Sequence, residues 1–294
     1  MNIRKGFAVL LLGVAPVLTG CYKTTRIVPI AMPPEQLITA PLNQLLKQTN
    51  DRYAALTTMT ASIQITASTG GNKQGKIDTY PTFSGHMLMR KPADLRVLLS
   101  YLGMRAMDMA TDGKTFKMVI PLQNRAITGS NDVTTSSTNP IENLRPDVFL
   151  DSMFVRGLGA GELVSLTMDE RIYQPDPKKK DLIDEPDYDL SILRQKTNDT
   201  TLQMLRVIHI GRSSLLPYRQ DIYDDHGQLV TQATYENYQK FGETEFPTKV
   251  TIKRPIDQLS IVVTVSNLIP NQPLEDDQFQ LPDIPATYKV QKLQ

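Results

Sequence analysis

Most of this chain alternates. From Ser62 onward apolar residues return at every second position: Ile63, Ile65 and Ala67 against Ser62, Gln64 and Thr66, then Leu95, Val97 and Leu99. Successive side chains of a strand point to opposite faces, so this period describes strands with one buried face. Short breaks separate the alternating segments: Gly70-Gly71-Asn72, Lys91-Pro92, Tyr101-Leu102-Gly103, Asp112-Gly113, Asp225-His226-Gly227 and Arg254-Pro255-Ile256-Asp257. Asp-Gly favours the tight turn whose twist matches antiparallel strands. The period predicts strands near 62–67, 83–90, 95–99, 104–110 and 115–120, then near 162–173, 188–195, 202–210, 217–224, 228–238, 247–254 and 259–268. That is a mainly β fold of about eleven strands, joined as sequential hairpins into an antiparallel sheet long enough to curl strongly.

Two segments keep a helical period instead. Leu42, Leu45, Leu46, Tyr53 and Leu56 form one apolar stripe, with Thr39 as the expected N-cap and Pro41 near the first helical position. Pro146 to Val155 is the second predicted helix, with Val148, Phe149, Ser152 and Met153 on one face. Residues 128–143, rich in Ser, Thr and Asn, read as a loop, and so do 174–187, which hold Pro175, Pro177, Pro186 and Lys178-Lys179-Lys180.

The N-terminus carries a different signal. Arg4 and Lys5 precede an apolar run from Phe7 to Leu18, too short for the roughly 20 residues that span a bilayer. The run ends in Leu18-Thr19-Gly20-Cys21, which resembles the lipobox of bacterial lipoprotein signals. The resemblance implies cleavage before Cys21 and acylation of that cysteine. It is the single cysteine of the chain, so the domain beyond it gains nothing from disulfides. The expected organisation is a signal peptide at 1–20, a proline-broken tether at 21–40, one domain at 41–285 and a tail at 286–294. About 19 extended residues reach roughly 60 Å, enough for the domain to stand clear of the bilayer. Loss of Arg4 and Lys5 leaves acidic and basic residues balanced within one charge, which gives no reason to expect nucleic acid as a partner.

Catalytic constellations are poor. His86, His209 and His226 lie far apart with no metal-ligand spacing, and no G-x-S-x-G element or phosphate loop occurs. The clusters Asp224-Asp225 and Glu275-Asp276-Asp277 sit in turn contexts where solvation explains them. No catalytic residue, metal or cofactor is expected. Six of the twelve methionines instead fall within one meander: Met87, Met89, Met104, Met107, Met109 and Met118. With Leu95, Val97 and Phe116 they are the candidate lining of an apolar concavity, because methionine adapts its shape to flexible alkyl chains. An ordinary packed core would use the same residues.

The order of motifs resembles the LolA/LolB superfamily of periplasmic lipoprotein carriers and receptors. A strand runs into Met89-Arg90-Lys91-Pro92-Ala93-Asp94-Leu95-Arg96-Val97, then come a Leu102-Gly103 corner, Thr111-Asp112-Gly113-Lys114, and a strand ending at Pro121. Later come Asp224 to Gly227, Phe246-Pro247, and Phe279-Gln280-Leu281-Pro282. The resemblance spans roughly 41–285 and implies an unclosed antiparallel β-barrel, a half-barrel of about eleven strands, with helices across its mouth and acyl chains of lipoproteins or other lipid as ligands. It casts Val148, Phe149 and Met153 as lid residues and Tyr101 and Leu102 as a membrane-contact loop. The lipobox makes the receptor type the closer analogue, with a periplasmic carrier protein as partner. Tyr22 after the cysteine is not the aspartate that retains lipoproteins in the inner membrane of enteric bacteria, so the outer membrane, periplasmic face, is the expected location. Two features depart from the family: extra residues around 125–187, and the absence of tryptophan with only 6% aromatics. They leave room for an interaction or envelope-sensing protein with a filled core. Replacing Cys21 by serine is expected to abolish palmitate incorporation and to leave a slower-migrating, uncleaved precursor on gels; a chain still labelled without Cys21 would refute the assignment.

Overall fold

The computed structural model describes residues 25–131, 145–176, 178–196 and 200–293. Cys21 and the signal segment lie outside them. Sixteen strands in a single sheet and two helices are found among the described residues. No helix there is long and apolar enough to cross a membrane.

After the two-residue β1 (Ala31–Met32) and α1 (Leu42–Ala55), the first meander is β2 (Thr58–Gly71), β3 (Lys76–Thr79), β4 (Phe83–Arg90), β5 (Asp94–Tyr101), β6 (Met104–Asp112), β7 (Thr115–Ile120) and β8 (Arg125–Ser130). Next come α2 (Pro146–Met153) and the second meander: β9 (Glu162–Tyr173), β10 (Leu182–Gln195), β11 (Leu202–Gly211), β12 (Pro217–Tyr223), β13 (Leu229–Phe241), β14 (Thr244–Arg254) and β15 (Leu259–Pro270). β16 (Lys289–Leu293) ends the chain. The spatial order is β1-β10-β11-β12-β13-β14-β15-β2-β4-β5-β6-β7-β8-β16, with β3 beside β2 and β9 on the other side of β10. β15 joins the meanders by pairing antiparallel with β2, from Leu259 opposite Thr69 to Pro270 opposite Met59. The sheet stays open, because β9 and β16 are not paired with each other.

The alternation explains the layers. Met59, Ala61, Ile63 and Ile65 of β2 point inward with Met87 and Met89, Leu95 and Val97, Val250 and Ile252, and Ile261 and Val263. Burial of each such side chain contributes roughly 1.5–3 kcal/mol. A second cluster gathers Tyr188, Leu190, Ile192, Ile208 and Ile210 under Leu45 of α1. Behind α2, the buried Arg206 guanidinium donates to Glu162 at 2.7 Å and to the carbonyls of Arg156 and Gly157, fixing the chain that leads into β9.

Several elements differ from the sequence expectation. The helix begins at Leu42 with Pro41 as N-cap; Thr39 is not the cap, because its hydroxyl oxygen accepts from the Arg212 guanidinium at 3.1 Å. The last residues of the expected tether are docked: Ala31–Met32 pair with β10, Ile38 N donates to the Arg212 carbonyl, and Ala40 N donates to the Tyr188 hydroxyl. β8 takes in the start of the stretch read as a loop from 128, and β10 starts inside the stretch read as a loop to 187. The expected tail holds β16, parallel to β8. It is delivered there by residues 271–288, which cross the outer face with Leu274 and Phe279 buried. Arg90 lies over the Phe279 ring at 4.9 Å, and Arg96 donates to the Gln278 carbonyl at 3.2 Å.

Candidate functional site

The inner face of the first meander is where the candidate lining residues converge. Met87, Met89, Leu95, Val97, Met109, Phe116 and Met118 are all fully buried in one cluster, and Met107 packs against it half-buried. α2 covers this surface with Phe149 and Met153, both buried, and with Val148, which is half-buried. Phe154, just past the helix end, completes the cover. The helix is fastened by two backbone carbonyls: Ser152 O accepts from the Tyr235 hydroxyl, and Asp151 O from Gln220 Nε2, each at 2.9 Å.

Met104 does not belong to this buried wall. It stands 54% exposed at the turn end of the β5–β6 hairpin. An extra residue in β6, Ala106, shifts the register so that Met104 pairs with Tyr101, beyond the reach of the helices. There it joins the loop tip. Leu102 is 81% exposed, while the Tyr101 ring lies 5.7 Å from Phe83. Leu102 and Gly103 both have positive φ, 49° and 79°, in a two-residue turn. Leucine is uncommon in the left-handed region and adopts it at a cost of about 1 kcal/mol. The turn thus holds an apolar side chain in water on a backbone that would suit asparagine or glycine better.

α1 sits beside α2. Its first turns lie on the second cluster through Leu42, Leu45 and Leu46, and its last turns reach the methionine cluster through Tyr53 and Leu56. Its C-terminal end is pinned. The Asn271 amide donates to the Ala55 carbonyl, Arg52 pairs with Glu245 at 2.8 Å, and Lys91 Nζ donates to the Tyr53 carbonyl. A cation at the helix C-terminus complements the dipole. Lys91 also lies over the rings of Tyr53, at 3.4 Å, and Phe154, at 5.8 Å. Burial among these rings pushes its pKa down to about 8.

Two cavities meet at Phe154, just past α2. A gap of about 50 Å³ lies between the end of α1, the end of α2 and β12–β14, lined by Tyr53, Leu56, Met153, Phe154, Tyr235 and Phe246 among others. A polar cavity of about 170 Å³ is lined by Asp151, Arg156, Arg194, Arg206, Gln220 and Tyr223. Phe154 forms a wall of both. The stripe of α2 pointed to Phe149 and Met153 but not to Phe154, which takes extended backbone after the helix ends. Nor did the sequence single out the three arginines, which come from different parts of the chain.

A LolA superfamily protein from Nitrosomonas europaea superposes with a TM-score of 0.50 at 15% identity, over 82% of this chain and 98% of its own. The chain has a LolA/LolB-like fold. A DUF1329 family protein from Desulfovibrio piger is more distant, with a TM-score of 0.45 and 17% identity over 80% and 94% of the two chains. So is a domain from Vibrio parahaemolyticus described as an outer membrane lipoprotein-sorting protein, at 0.42 and 12% over 80% and 94%. No family model and no curated protein matches the chain. In this LolA/LolB-like sheet the helices lie over the concave face, with Lys91 beside the apolar gap.

The buried ammonium has a signed consequence. The Lys91 pKa of about 8 lies below the ordinary 10.5, so an unfolded chain holds this proton more tightly than the folded one. The cost is full below pH 8 and disappears as pH rises toward 10.5. Solvent screening of the half-exposed ammonium and the lost hydrogen bond and ring contacts reduce this cost, so Lys91→Met is expected to stabilise the fold at pH 7 by only about 1 kcal/mol. Urea midpoints should show that gain shrinking between pH 8 and 10.5; a gain independent of pH would contradict it.

Proposed function

We propose that this chain is a membrane-anchored, periplasm-facing lipoprotein that holds acyl chains of lipoproteins or other amphiphiles between its methionine-rich inner face and its helices. The observation that supports this most is the shared wall at Phe154. An amphiphile requires an apolar slot for its tail next to a polar surface for its head. Here the apolar gap adjoins a cavity with three guanidinium groups, so a swing of one aromatic ring would connect them. The arginines outnumber the carboxylates of Asp151 and Glu162 beside them, which suits an anionic head such as phosphate.

As it stands the slot is shut. A gap of about 50 Å³ is far below the roughly 300–1,000 Å³ of small-molecule sites. Tail entry requires a lid to lift, and α2 is the better suited helix. It has only eight residues, too few to persist without tertiary contacts. Its closed position also leaves polar groups short. Among the described residues, Asp147 Oδ1 and the buried Ser152 Oγ have no hydrogen-bond partner, and burial pushes the Asp147 carboxyl up. Such groups cost ~1–3 kcal/mol each, and opening returns them to water. An incoming tail would replace Phe149, Met153 and Phe154 against the methionines, at roughly 0.8 kcal/mol per buried CH₂. Cargo then moves by differences in affinity, with no covalent chemistry and no enzyme activity.

The leucine tip fits the same reading. Leu102 with Met104 and Tyr101 presents an apolar edge that would enter the headgroup region of a bilayer. The lipobox and Tyr22 support an outer-membrane anchor at Cys21, where a periplasmic carrier would hand over cargo. The filled interior favours a second reading, an interaction or envelope-sensing lipoprotein with no lipid cargo.

Lipid addition separates them. The chain has no tryptophan, so Phe154→Trp places a single reporter in the shared wall. Titration with a diacyl lipopeptide or phosphatidylglycerol is expected to shift its emission and to saturate at one ligand per chain, with native mass spectrometry showing the same stoichiometry. No shift and no bound species with either ligand would leave only the filled-core reading. Leu102→Asn is expected to raise stability by about 1 kcal/mol, because asparagine tolerates this φ, while slowing lipopeptide transfer to vesicles. Unchanged transfer would remove the tip from the mechanism.

A further inference from the structure

The second meander carries a polar cluster on its outer face, away from the lid. Tyr188, Leu190 and Ile192 of β10 point into the core, so the intervening Asp187 and Asp189 point outward. Register sets His209 of β11 directly opposite Asp189, and paired residues share a face. One donor atom from each of Asp187, Asp189 and His209 lies within 4.8 Å of the other two. His209 Nδ1 is 2.5 Å from Asp189 Oδ1. Asp187 is 1% exposed, yet its Oδ1 has no hydrogen-bond partner among the described residues.

The geometry points to a divalent transition-metal site with Asp187, Asp189 and His209 as its protein ligands. Three features fit a metal better than a plain ion pair. The first is Asp187 Oδ1, a buried carboxylate oxygen of this cluster without a hydrogen-bond partner among the described residues. The second is the layer of groups behind the ligands. Asp187 Oδ2 is held by the Tyr218 hydroxyl, whose position is itself set by a register shift between β11 and β12. The far nitrogen of His209, Nε2, faces Asp221 Oδ2 at 3.4 Å, and Asp221 is fixed by the Arg219 guanidinium and by Gln232. A carboxylate behind a ligating imidazole is the arrangement that orients histidine toward a metal. The third is charge. Asp187, Asp189 and Asp221 lie together, and Asp169 pairs with Asp187 from β9, while Arg219 is the main opposing cation. Even a protonated His209 leaves carboxylates in excess, and a divalent ion would offset them.

Ligand type selects the ion class. Two carboxylates and an imidazole suit Zn²⁺, Co²⁺ or Mn²⁺ over Ca²⁺ and Mg²⁺, which prefer all-oxygen sets. Three protein ligands leave a further position for water or for a group from a partner. His209 and Asp189 have side chains 12% and 15% exposed, so an ion has a path in from solvent.

Titration of the purified full chain with Co²⁺, followed by visible absorption, tests the site. We expect one Co²⁺ per chain at micromolar concentration, displaced by Zn²⁺. Affinity should fall at least tenfold in Asp189→Asn and in His209→Asn and stay unchanged in His226→Asn, which alters an exposed turn. X-ray absorption of the unmodified Zn²⁺-loaded chain gives a readout independent of how the variants fold: one nitrogen with oxygens is expected. Substoichiometric binding, binding that survives loss of His209, or a shell with sulfur or several histidines would each overturn the assignment.

Discussion

Everything in this fold hangs on the pairing of β15 with β2. The two strands are separated by nearly the whole domain, and closing so long a loop is costly in chain entropy. The return is a ladder running from Leu259 opposite Thr69 to Pro270 opposite Met59. Each meander alone would expose one greasy face. Joined at this seam, the inner sides of both become one surface: Ile63 and Ile65 lie beside Val265 and Val263, continuous with Met87 and Met89 on one flank and Val250 and Ile252 on the other. A bulge after Val265 keeps the ladder in phase. Under unbroken alternation from Val265, Leu268 would point outward; with Ser266 bulged, Leu268 stays in the core.

The period of two made the seam's strands readable, since half-buried strands are the case in which side-chain polarity reports direction. Elements without that contrast stayed hidden. β16 is largely exposed and charged, and β8 runs Arg-Ala-Ile-Thr-Gly-Ser with little alternation, so neither stood out from the polar stretches around it. Their pairing comes from the segment that carries Leu274 and Phe279 across the outer face, a tertiary contact with no local signature. Met104 shows a finer limit. Its strand was legible, and the bulged Ala106 even brings it to the face of Met107, but its place beside the turn leaves it exposed at the tip.

The candidate sites divide along the same line. Seven of the nine proposed lining residues were visible as buried because burial follows from apolar alternation, and a methionine cluster is conspicuous by composition. What touches them was not visible. Phe154 lies off the helical stripe, and Arg156, Arg194 and Arg206 come together only through the fold. The Asp187–Asp189–His209 cluster is intermediate. Two aspartates two residues apart on a strand share a face, but the strand expected from 188 left Asp187 in the preceding loop, whereas β10 starts at Leu182. That His209 completes the set depends on the register across the connection between β10 and β11, and hairpin register is not written in composition.

The inner surface and the lid place opposite demands on the same residues. On the proposed acyl-binding function, a surface that accepts a foreign chain cannot be rigidly filled, yet an empty one would collapse or expose apolar area to water. Methionine-rich packing under a short helix meets both conditions: the cluster is closed and dry when nothing is bound, and its side chains can rearrange at low cost. The asymmetry between the helices follows. α1 is tied by Lys91, Arg52 and Asn271 and spans both apolar clusters, so moving it would disturb the whole concave face. α2 is held chiefly by three apolar side chains and two hydrogen bonds to its carbonyls, and it carries Asp147 and Ser152 with unmet hydrogen bonding. Two buried polar groups without partners thus sit on the element whose displacement would open the proposed slot.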